Sequence, residues 1–504
     1  MLKKFWQDKM NPFKKLAGQT AIYGVSSIVA RTLNFFLLPL YTKLFVPEDY
    51  AIVSNLYAYT AFLLVILNYG METAFFRYSQ KCPDKKLVYD TTNTIILITT
   101  CLFLIATTIF LNPIATAIGY VGYENFILIL AVVVGIDVIT ATPFTYLRQQ
   151  NKATRFAIIR ITNIAIQIFL NLFIFLVLRK INLNSPDAFL GKLYNPSIGI
   201  GYVFISNLIA NIVNLLMFIP EFSIIKLRIN KSLLWQMLKY AFPILIVGIT
   251  GQINQNLDKI ILKELVPLAD NPMRQVGIYG ANYKLAVLMT MFVQAFNYSF
   301  EPFFFSQTDS KDVRKNYADI MKYFIIFGWM IFLVVSLYID FFKHLTNENY
   351  YEGLKVVPLL LIGNLLLGIY YNQSIWYKVT DRTRYGAYQS LIGAGVTILI
   401  NVTLIPALGY VASAIACLCC FAVMVLLSFF WGRKYYPIDY DLKNIALYST
   451  LALILFFISK MTPFNGNAMK FGINTIILLF YGLFAYRREV VPLIQQRRNN
   501  KMKS

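Results

Sequence analysis

Residues 408–431, LGYVASAIACLCCFAVMVLLSFFW, decide the fold class of this chain. The run contains no Asp, Glu, Lys or Arg, and an α-helix needs about 20 mainly apolar residues to cross the hydrocarbon core of a bilayer. The whole chain has the same bias, because 58% of its 504 residues are hydrophobic and only 14% are charged. This composition excludes a set of soluble domains and predicts a membrane protein that crosses the bilayer many times.

Apolar runs separated by charged or Pro/Gly-containing segments predict fourteen membrane-spanning helices. Numbered in chain order, they cover residues 18–40, 50–70, 93–112, 125–147, 156–178, 199–220, 235–257, 277–300, 319–340, 355–376, 386–405, 408–431, 444–460 and 470–486. We therefore predict an all-α polytopic membrane protein. Its predicted parts are an N-lobe of helices 1–6 (1–228), a C-lobe of helices 7–12 (229–434), and two additional helices, 13 and 14, with a basic tail (435–504).

A weak internal repeat favours two lobes of six helices each. Tyr69-x-x-Glu72-x-x-Phe75-Phe76, after helix 2, resembles Tyr298-x-x-Glu301-x-x-Phe304-Phe305, at the end of helix 8. Six crossings separate the two copies, and an even number gives them the same orientation in the membrane. The two lobes are then related by an axis along the membrane normal, around a central cavity.

The positive charge follows the topology of the chain. The formal net charge is +22, and 31 Lys and Arg residues lie in segments on the side of the two termini, against 10 on the other side. By the positive-inside rule, both termini and residues 71–92 and 301–318 face the cytoplasm, whereas residues 179–198 and 340–354 face out. The rule accounts for the excess of basic residues, so we expect no nucleic-acid partner.

Several chemistries lack the residues they need. Three of the five cysteines, Cys417, Cys419 and Cys420, fall in one apolar run, which favours small buried side chains over metal ligands. His344 is the single histidine, and neither a P-loop nor a D-x-D pair in a large outer loop is present. A zinc site, ATP hydrolysis and acyl or glycosyl transfer are therefore not expected. We predict no metal, no cofactor and no enzymatic activity.

Ionisable and amide side chains inside the predicted helices are the candidate functional residues, because polar groups are costly in hydrocarbon. Arg31 lies in the middle of helix 1, with Ser27 at i−4 and Asn34 at i+3. It either pairs with an acid on a neighbouring helix or lines a cavity that receives an anionic substrate. Helix 8 carries a second polar face, and the cation Lys284 lies toward its outer end. That face consists of Thr290, Gln294, Asn297 and Glu301.

Helices 4 to 7 also carry polar side chains at helical spacing. Helix 7 contains Gln252 and Asn256, with Asp258 at its outer end, and helix 4 contains Asp137. The stripes on helices 5 and 6 consist of Arg160, Asn163, Gln167 and Asn171, and of Asn207, Asn211 and Asn214. Asparagine ladders often serve only as hydrogen bonds between helices. Because no nucleotide site exists, Asp137, Asp258 and Glu301 are candidates for coupling transport to a proton or sodium gradient.

Two blocks of the sequence resemble a known family. Residues 20–80, TAIYGVSSIVARTLNFFLLPLYTKLFVPEDYAIVSNLYAYTAFLLVILNYGMETAFFRYSQ, and residues 276–307, VGIYGANYKLAVLMTMFVQAFNYSFEPFFFSQ, are similar to the polysaccharide transporters of the multidrug/oligosaccharidyl-lipid/polysaccharide flippase superfamily. These are the Wzx-like O-antigen and capsule flippases. The resemblance implies a protein of the bacterial inner membrane that moves undecaprenyl-diphosphate-linked oligosaccharides across it by alternating access. The implied partners are this lipid-linked glycan, membrane lipid, and a polysaccharide polymerase and glycosyltransferases.

The resemblance also implies roles for two cations. Ala30-Arg31-x-Leu33 matches the position of an essential arginine in lipid II flippases, and Lys284, in Tyr279-Gly280-Ala281-Asn282-Tyr283-Lys284-Leu285, matches a cationic cavity residue. Leu37 stands where those relatives have a second arginine. Lipid II export is therefore an alternative to glycan export, as is cation-coupled drug efflux. An alternative of another class is a membrane enzyme such as an O-antigen polymerase or ligase, but those proteins have a larger outer loop.

Overall fold

The structure, a computed structural model, consists of α-helices with short 3-10 and π segments. It describes residues 28–29, 32–306, 313–380, 382–462, 466–492 and 495, and within these ranges the side chains of 298–306, 313 and 467 are left out of the description. No β-strand occurs in these ranges.

Within the described residues, one short helix, α1, and thirteen longer helices are numbered in chain order. They are α1 (Leu38–Leu44), α2 (Pro47–Asn68), α3 (Lys85–Ile109), α4 (Glu124–Gln149), α5 (Ala153–Leu172), α6 (Tyr202–Met217), α7 (Lys231–Leu265), α8 (Pro272–Ser306), α9 (Val313–Leu337), α10 (Val357–Gln373), α11 (Arg384–Leu408), α12 (Tyr410–Tyr435), α13 (Leu442–Met461) and α14 (Asn467–Ala485).

Shorter helices connect or extend the main ones. The α-helical pieces are Met71–Lys81, Leu111–Ala117, Arg179–Asn184, Phe189–Lys192, Ile219–Phe222, Ile339–Phe342 and Ile375–Val379. The 3-10 pieces are Pro196–Gly201, Leu268–Asp270, Lys343–Leu345 and Glu348–Val356, and the π segments are Phe173–Leu178 and Tyr486–Val490.

Within the described residues, 13 helical stretches are long and apolar enough to cross a membrane. They coincide with predicted helices 2 to 14, so the prediction of an all-α polytopic membrane protein is confirmed. Predicted helix 1 (18–40) falls mainly on residues outside the described part of the chain, and α1 follows it.

The helix ends follow from local chemistry. Asn230 precedes α7, and its side-chain oxygen accepts a hydrogen bond from the backbone N–H of Leu233 at 3.0 Å, which satisfies a donor that the first turn leaves without a partner. The helix α7 ends at Leu265, immediately before Val266 and Pro267, because a residue that precedes proline avoids the helical conformation.

Two segments that the sequence predicts as connections contain helices. Residues 71–92 include the helix Met71–Lys81, in which Met71 and Phe75 are buried while Arg77 is exposed. With one apolar face, this helix packs on its neighbours. Its 11 residues are too few to cross a bilayer, so hydropathy alone does not detect it. The connection 179–198, predicted to face out, likewise contains two short helices and the start of a 3-10 turn.

The described chain divides into two compact units, Met1–Gly280 with Ser390–Ser413, and Ala281–Gln389 with Ala414–Ser504. In the first unit, α2 packs against α4 and α7, α3 packs against α4, and α6 packs against α4 and α5. In the second unit, α9 packs against α10, α13 and α14. The predicted lobes 1–228 and 229–434, their parallel repeat and the cavity between them stay predictions.

Ion pairs near both ends of α9 involve α14 and the π segment that follows it, and α13 joins the first of them by a hydrogen bond. At one end, Lys322 Nζ lies 2.7 Å from the carboxylate of Glu489, which also accepts a hydrogen bond from the Tyr448 hydroxyl at 3.0 Å. At the other end, Lys470 Nζ lies 2.5 Å from Asp340 Oδ2. The two additional helices are therefore bonded to one main helix of the second unit.

Candidate substrate site

The helix α5 carries a polar stripe that is separate from its apolar exposed face. Arg160, Asn163, Gln167 and Asn171 fall on one side at about 3.6 residues per turn, whereas the exposed apolar side chains Ile158, Ile161, Phe169 and Leu172 fall on the opposite side. Hydrocarbon solvates the apolar side of a membrane helix. The polar stripe therefore points toward the rest of the first unit or toward water.

Asparagines of this stripe bond to neighbouring helices. The Asn163 amide donates to the backbone carbonyl of Ala210 at 3.0 Å and to Asn211 Oδ1 at 2.9 Å. On α6, Asn207 donates to the Tyr57 hydroxyl of α2 at 3.1 Å. Asn171 accepts a hydrogen bond from the Tyr41 hydroxyl at 2.8 Å. These amides hold α2, α5 and α6 together, as hydrogen bonds between membrane helices do.

Asp137 and Arg160 bring opposite charges to the same region. The half-buried Asp137 of α4 faces the Asn211 side chain and the Arg160 guanidinium. The Arg160 guanidinium carbon lies 5.6 Å from the centre of the Phe144 ring, and its residue is exposed. Among the described residues, no carboxylate lies within 4.0 Å of this guanidinium. Arg160 is thus a membrane-embedded cation that Asp137 influences without a close ion pair.

A second polar cluster lies near the end of α7. Asp258 and Lys259 are each only 7% exposed, and Lys259 Nζ lies 3.3 Å from Asp258 Oδ1. Lys259 also donates to the backbone carbonyl of Gln255 at 3.0 Å, and the Tyr279 hydroxyl donates to Asp258 Oδ2. The charges of this buried pair therefore compensate each other.

Hydrogen bonds extend this cluster to two other parts of the first unit. The Asn55 amide of α2 donates to the backbone carbonyl of Lys259 at 2.6 Å, and Asn55 Oδ1 accepts from the Tyr120 hydroxyl at 2.9 Å. Along α7, the Asn256 amide donates to Gln252 Oε1 at 2.7 Å. The structure thus brings the predicted residues Gln252, Asn256 and Asp258 into one neighbourhood.

The predicted residues of α8 occupy the second unit. Lys284, Gln294 and Asn297 are half-buried, and the Thr290 hydroxyl donates to the carbonyl of Val287 in its own helix at 2.8 Å. Glu301 belongs to α8, but its side chain lies outside the described part.

Only one of the two predicted residues of helix 1 lies in the described part of the chain. Arg31 lies outside the described residues, and Asn34 is exposed. The approach of Arg31 and Lys284 to one ligand stays a prediction.

The sequence predicts the polar stripes on α5 and α6, but three residues that take part in these polar clusters are not among the predicted site residues. Lys259 looked like an outer basic residue, although it is buried beside Asp258. No role is predicted for the hydroxyls of Tyr57 and Tyr279, because an aromatic residue in an apolar run resembles core packing until its hydroxyl has a visible partner. Within the ranges described, no group of three His, Cys, Asp or Glu residues is placed to hold a metal ion.

Known proteins resemble this chain in family and in fold. The sequence profile of the polysaccharide biosynthesis protein family matches residues 16–308. No curated protein matches the chain significantly in sequence.

Solved structures share its architecture over nearly the whole length. A structure of the lipid II flippase MurJ in an inward closed conformation has a TM-score of 0.71 at 18% identity, and covers 93% of this chain and 99% of its own. An inward-facing multidrug resistance MATE family transporter of the MOP superfamily has a TM-score of 0.61 at 13% identity, and covers 83% of this chain and 96% of its own. The Vibrio cholerae MATE transporter VcmN has a TM-score of 0.58 at 14% identity, and the match covers 84% of this chain and 99% of the VcmN chain.

At these identities the likeness to solved structures establishes the fold, which is that of MurJ and the MATE transporters. The sequence profile spans more than half of the chain. The protein is therefore a member of the polysaccharide biosynthesis protein family.

Proposed function

We propose that this protein is a flippase for undecaprenyl-diphosphate-linked oligosaccharides, the repeat units of an O-antigen, capsule or exopolysaccharide. It moves them by alternating access from the cytoplasmic to the outer leaflet of the bacterial inner membrane, with both of its termini in the cytoplasm. The family membership and the fold shared with a lipid II flippase support this proposal. We infer that the protein acts as a transporter and not as an enzyme.

The observation that carries the proposal is the polar stripe of α5, which is set apart from the apolar exposed face of the same helix. A lipid-linked sugar has an anionic diphosphate, many hydroxyl groups and an apolar tail. Its head group needs a few cations and many amide or hydroxyl groups in water, whereas its tail can stay in lipid. On α5, the Arg160 cation and the half-buried Gln167 amide are groups of this kind.

We further propose that Arg31 and Lys284 approach the diphosphate, with Asn34, Gln252, Asn256, Thr290, Gln294 and Asn297 contacting the sugars. Arginine binds phosphate through a planar fork of donors, whereas lysine acts as a point charge. A small number of cations suits a transporter, because the ligand must also leave the site.

Lipid II export is the second candidate, and a specific observation favours it: the lipid II flippase has a TM-score of 0.71 with this chain. Against it, Leu37 stands where the resemblance to lipid II flippases implies a second arginine. The two functions share the diphosphate and differ in the attached sugar or peptide.

Purified protein in liposomes can test both candidates. Undecaprenyl-diphosphate oligosaccharide and lipid II are placed in separate preparations, and a membrane-impermeant enzyme that cuts the head group reports which leaflet holds it. We expect rapid exchange of the oligosaccharide and slow exchange of lipid II. Rapid exchange of lipid II alone would favour the second candidate, and no exchange of either would refute the flippase.

Variants of Arg31 test the proposed contact with phosphate. Arg31→Ala should abolish exchange while the protein still inserts and folds, and Arg31→Lys should restore only part of it because the fork is lost. If Arg31→Ala kept full transport and lowered thermal stability, Arg31 would be a structural partner of a neighbouring acid.

A further inference from the structure

Two arginines on α5, five positions apart, differ in their surroundings. Arg155 lies 2.8 Å from the carboxylate of Glu221 and donates to the backbone carbonyl of Met217 at 3.2 Å. Arg160 has no acid within 4.0 Å among the residues that the structure describes, and its guanidinium carbon lies 5.6 Å from the centre of the Phe144 ring. Nη2 of Arg155 is engaged by the protein, whereas the described residues place no acid on the donors of Arg160, which leaves them available to a ligand.

The position of Arg160 is unfavourable unless its surroundings are polar. It follows the first residue of α5, Ala153, by seven residues, which places it about 10 Å along the helix axis. It lies on the same side of α5 as Asn163 and Gln167, away from the exposed apolar residues Ile158 and Phe169. An ionisable residue within a membrane-spanning helix is by default a candidate for a ligand path or a polar cavity.

The surrounding amides leave the guanidinium as the main donor. Both hydrogen bonds of the Asn163 amide end on α6, at Ala210 and Asn211. Asn211 faces Asp137, and Asp137 supplies a negative charge near Arg160. This carboxylate lowers the cost of holding the cation in the empty protein without occupying its planar fork of donors.

We propose that Arg160 binds an oxyanion of the transported lipid-linked saccharide, with Asp137 as the counter-charge while the site is empty. The proposal rests on the proposed flippase function. The oxyanion is a phosphate of the diphosphate or a carboxylate of an acidic sugar, since both match the donors of a guanidinium. On binding, the ligand replaces Asp137 as the main negative charge near Arg160.

Binding to the purified protein in detergent can test this site with short-chain ligands. The probes are a prenyl diphosphate disaccharide with neutral sugars, the same compound with one uronic acid, and a prenyl disaccharide without phosphate. The variants are Arg160→Gln and Arg160→Lys, with Arg155→Gln as the matched control on the same helix. Thermal unfolding of each variant is measured in parallel.

We expect Arg160→Gln to weaken binding at least about tenfold, and Arg160→Lys to weaken it less. Arg155→Gln should lower the unfolding temperature and keep the wild-type affinity. Loss of affinity for both diphosphate probes would identify the phosphate as the ligand group, and loss confined to the uronic acid probe would identify the sugar carboxylate. Unchanged affinity of Arg160→Gln for every probe that the wild type binds would overturn the proposal.

Two further outcomes complete the test. Asp137→Asn should strengthen binding of the anionic probes, because a competing carboxylate is removed, and weaker binding would refute its role as the replaced counter-charge. If the wild-type protein bound none of the probes, the flippase function and the Arg160 site would both fail. If the wild type binds the probes and Arg160→Gln binds them equally well, the Arg160 site fails and the flippase function remains in place.

Discussion

The guanidinium of Arg155 lies 2.8 Å from the carboxylate of Glu221, and this pair joins the start of α5 to the short helix after α6. Glu221 is only 5% exposed, and its backbone carbonyl also accepts a hydrogen bond from the Tyr89 hydroxyl of α3 at 3.3 Å. The acid is therefore buried where three parts of the first unit meet. Its charge depends on Arg155 for compensation.

Arg155→Gln should destabilise the protein, because it leaves the Glu221 carboxylate buried without its cation. Arg155 itself is partly exposed, so water screens part of the loss, and we expect a cost of about 1–3 kcal/mol. Thermal or denaturant unfolding in detergent measures it. Arg148→Gln, at an exposed position at the end of α4, is the control and should have little effect. Equal stability of the two variants would mean that the ion pair contributes nothing.

Gly70 sits at the break between α2 and the helix Met71–Lys81. Its φ angle is +75°, which residues with a side chain rarely adopt, and an added Cβ would lie 2.7 Å from the backbone carbonyl oxygen of Ala241 on α7. Gly70→Ala should therefore destabilise the first unit by at least about 1–2 kcal/mol. Gly251→Ala is the matched control, because Gly251 lies within α7 and an added Cβ would meet nothing within 4 Å. Unfolding of both variants in one detergent makes the comparison, and a harmless Gly70→Ala would show that the break can relax.

Asp340 gives a pH-dependent prediction outside the membrane-spanning helices. Hydrogen bonds from Lys470 and then from Lys343 hold the pKa of its carboxyl below the ordinary value. A lowered pKa means that this contribution to stability is complete above the pKa of the unfolded chain, about 3.9, and is lost as the pH falls through the folded value.

Asp340→Asn should therefore lower the unfolding temperature slightly at pH 7, by the equivalent of about 0.5–1 kcal/mol for a partly exposed pair. The difference from the wild type should shrink as the pH falls below about 4. Unfolding of both proteins between pH 7 and pH 3 checks this, with Asp187→Asn in an exposed connection as the control. A difference that stayed constant over the whole range would mean that the loss does not come from the charge.

The charge distribution predicts which face of the membrane each connection occupies. All five cysteines are free, so they are first replaced, and single cysteines are then introduced at Asp84 and Asp187. An impermeant thiol reagent added to intact cells should label position 187 and spare position 84, since residues 71–92 face the cytoplasm by the positive-inside rule. Labelling of position 84 without position 187 would invert the proposed topology.

The sequence predicts the membrane helices well and their ends less well. An uncharged run such as 408–431 has one stable solution in a bilayer, a helix that satisfies its own backbone groups. The ends depend on local capping, so α7 extends from the predicted 235–257 to Lys231–Leu265. The helix Met71–Lys81 was not predicted, because its polar face lowers its mean hydropathy below that of a membrane span.

The candidate site is predictable only in part, for a different reason. Helical spacing correctly predicts the polar stripe of α5, because that spacing is local. The partner of each side chain is not local. Arg155 pairs with an acid 66 residues away in the sequence, whereas Arg160 on the same helix has no acid within 4.0 Å among the described residues. Asp258 seemed available for coupling, yet its neighbours Lys259 and Tyr279 already engage it.

The remaining prediction concerns energy coupling through Asp137, Asp258 and Glu301. A membrane potential is worth about 2.3 kcal/mol per charge per 100 mV, enough to shift a two-state equilibrium roughly 50-fold. Asp258 is already balanced by Lys259, so Asp258→Asn should lower stability and leave any response to a gradient intact. Asp137 has no cation within 4.0 Å among the described residues, so a change in its protonation or ion binding disturbs fewer bonds.

We therefore expect imposed proton or sodium gradients to accelerate net flipping in liposomes, and Asp137→Asn to abolish the acceleration while exchange without a gradient persists. Glu301→Gln is measured in the same assay, because Glu301 is the third candidate coupling acid. It stands at the repeat position that Glu72 occupies in the first half of the chain. If flipping by the wild type is the same with and without both gradients, coupling through any of these acids is wrong. Consumption of the flipped saccharide by a polymerase in the outer leaflet would then have to drive net export.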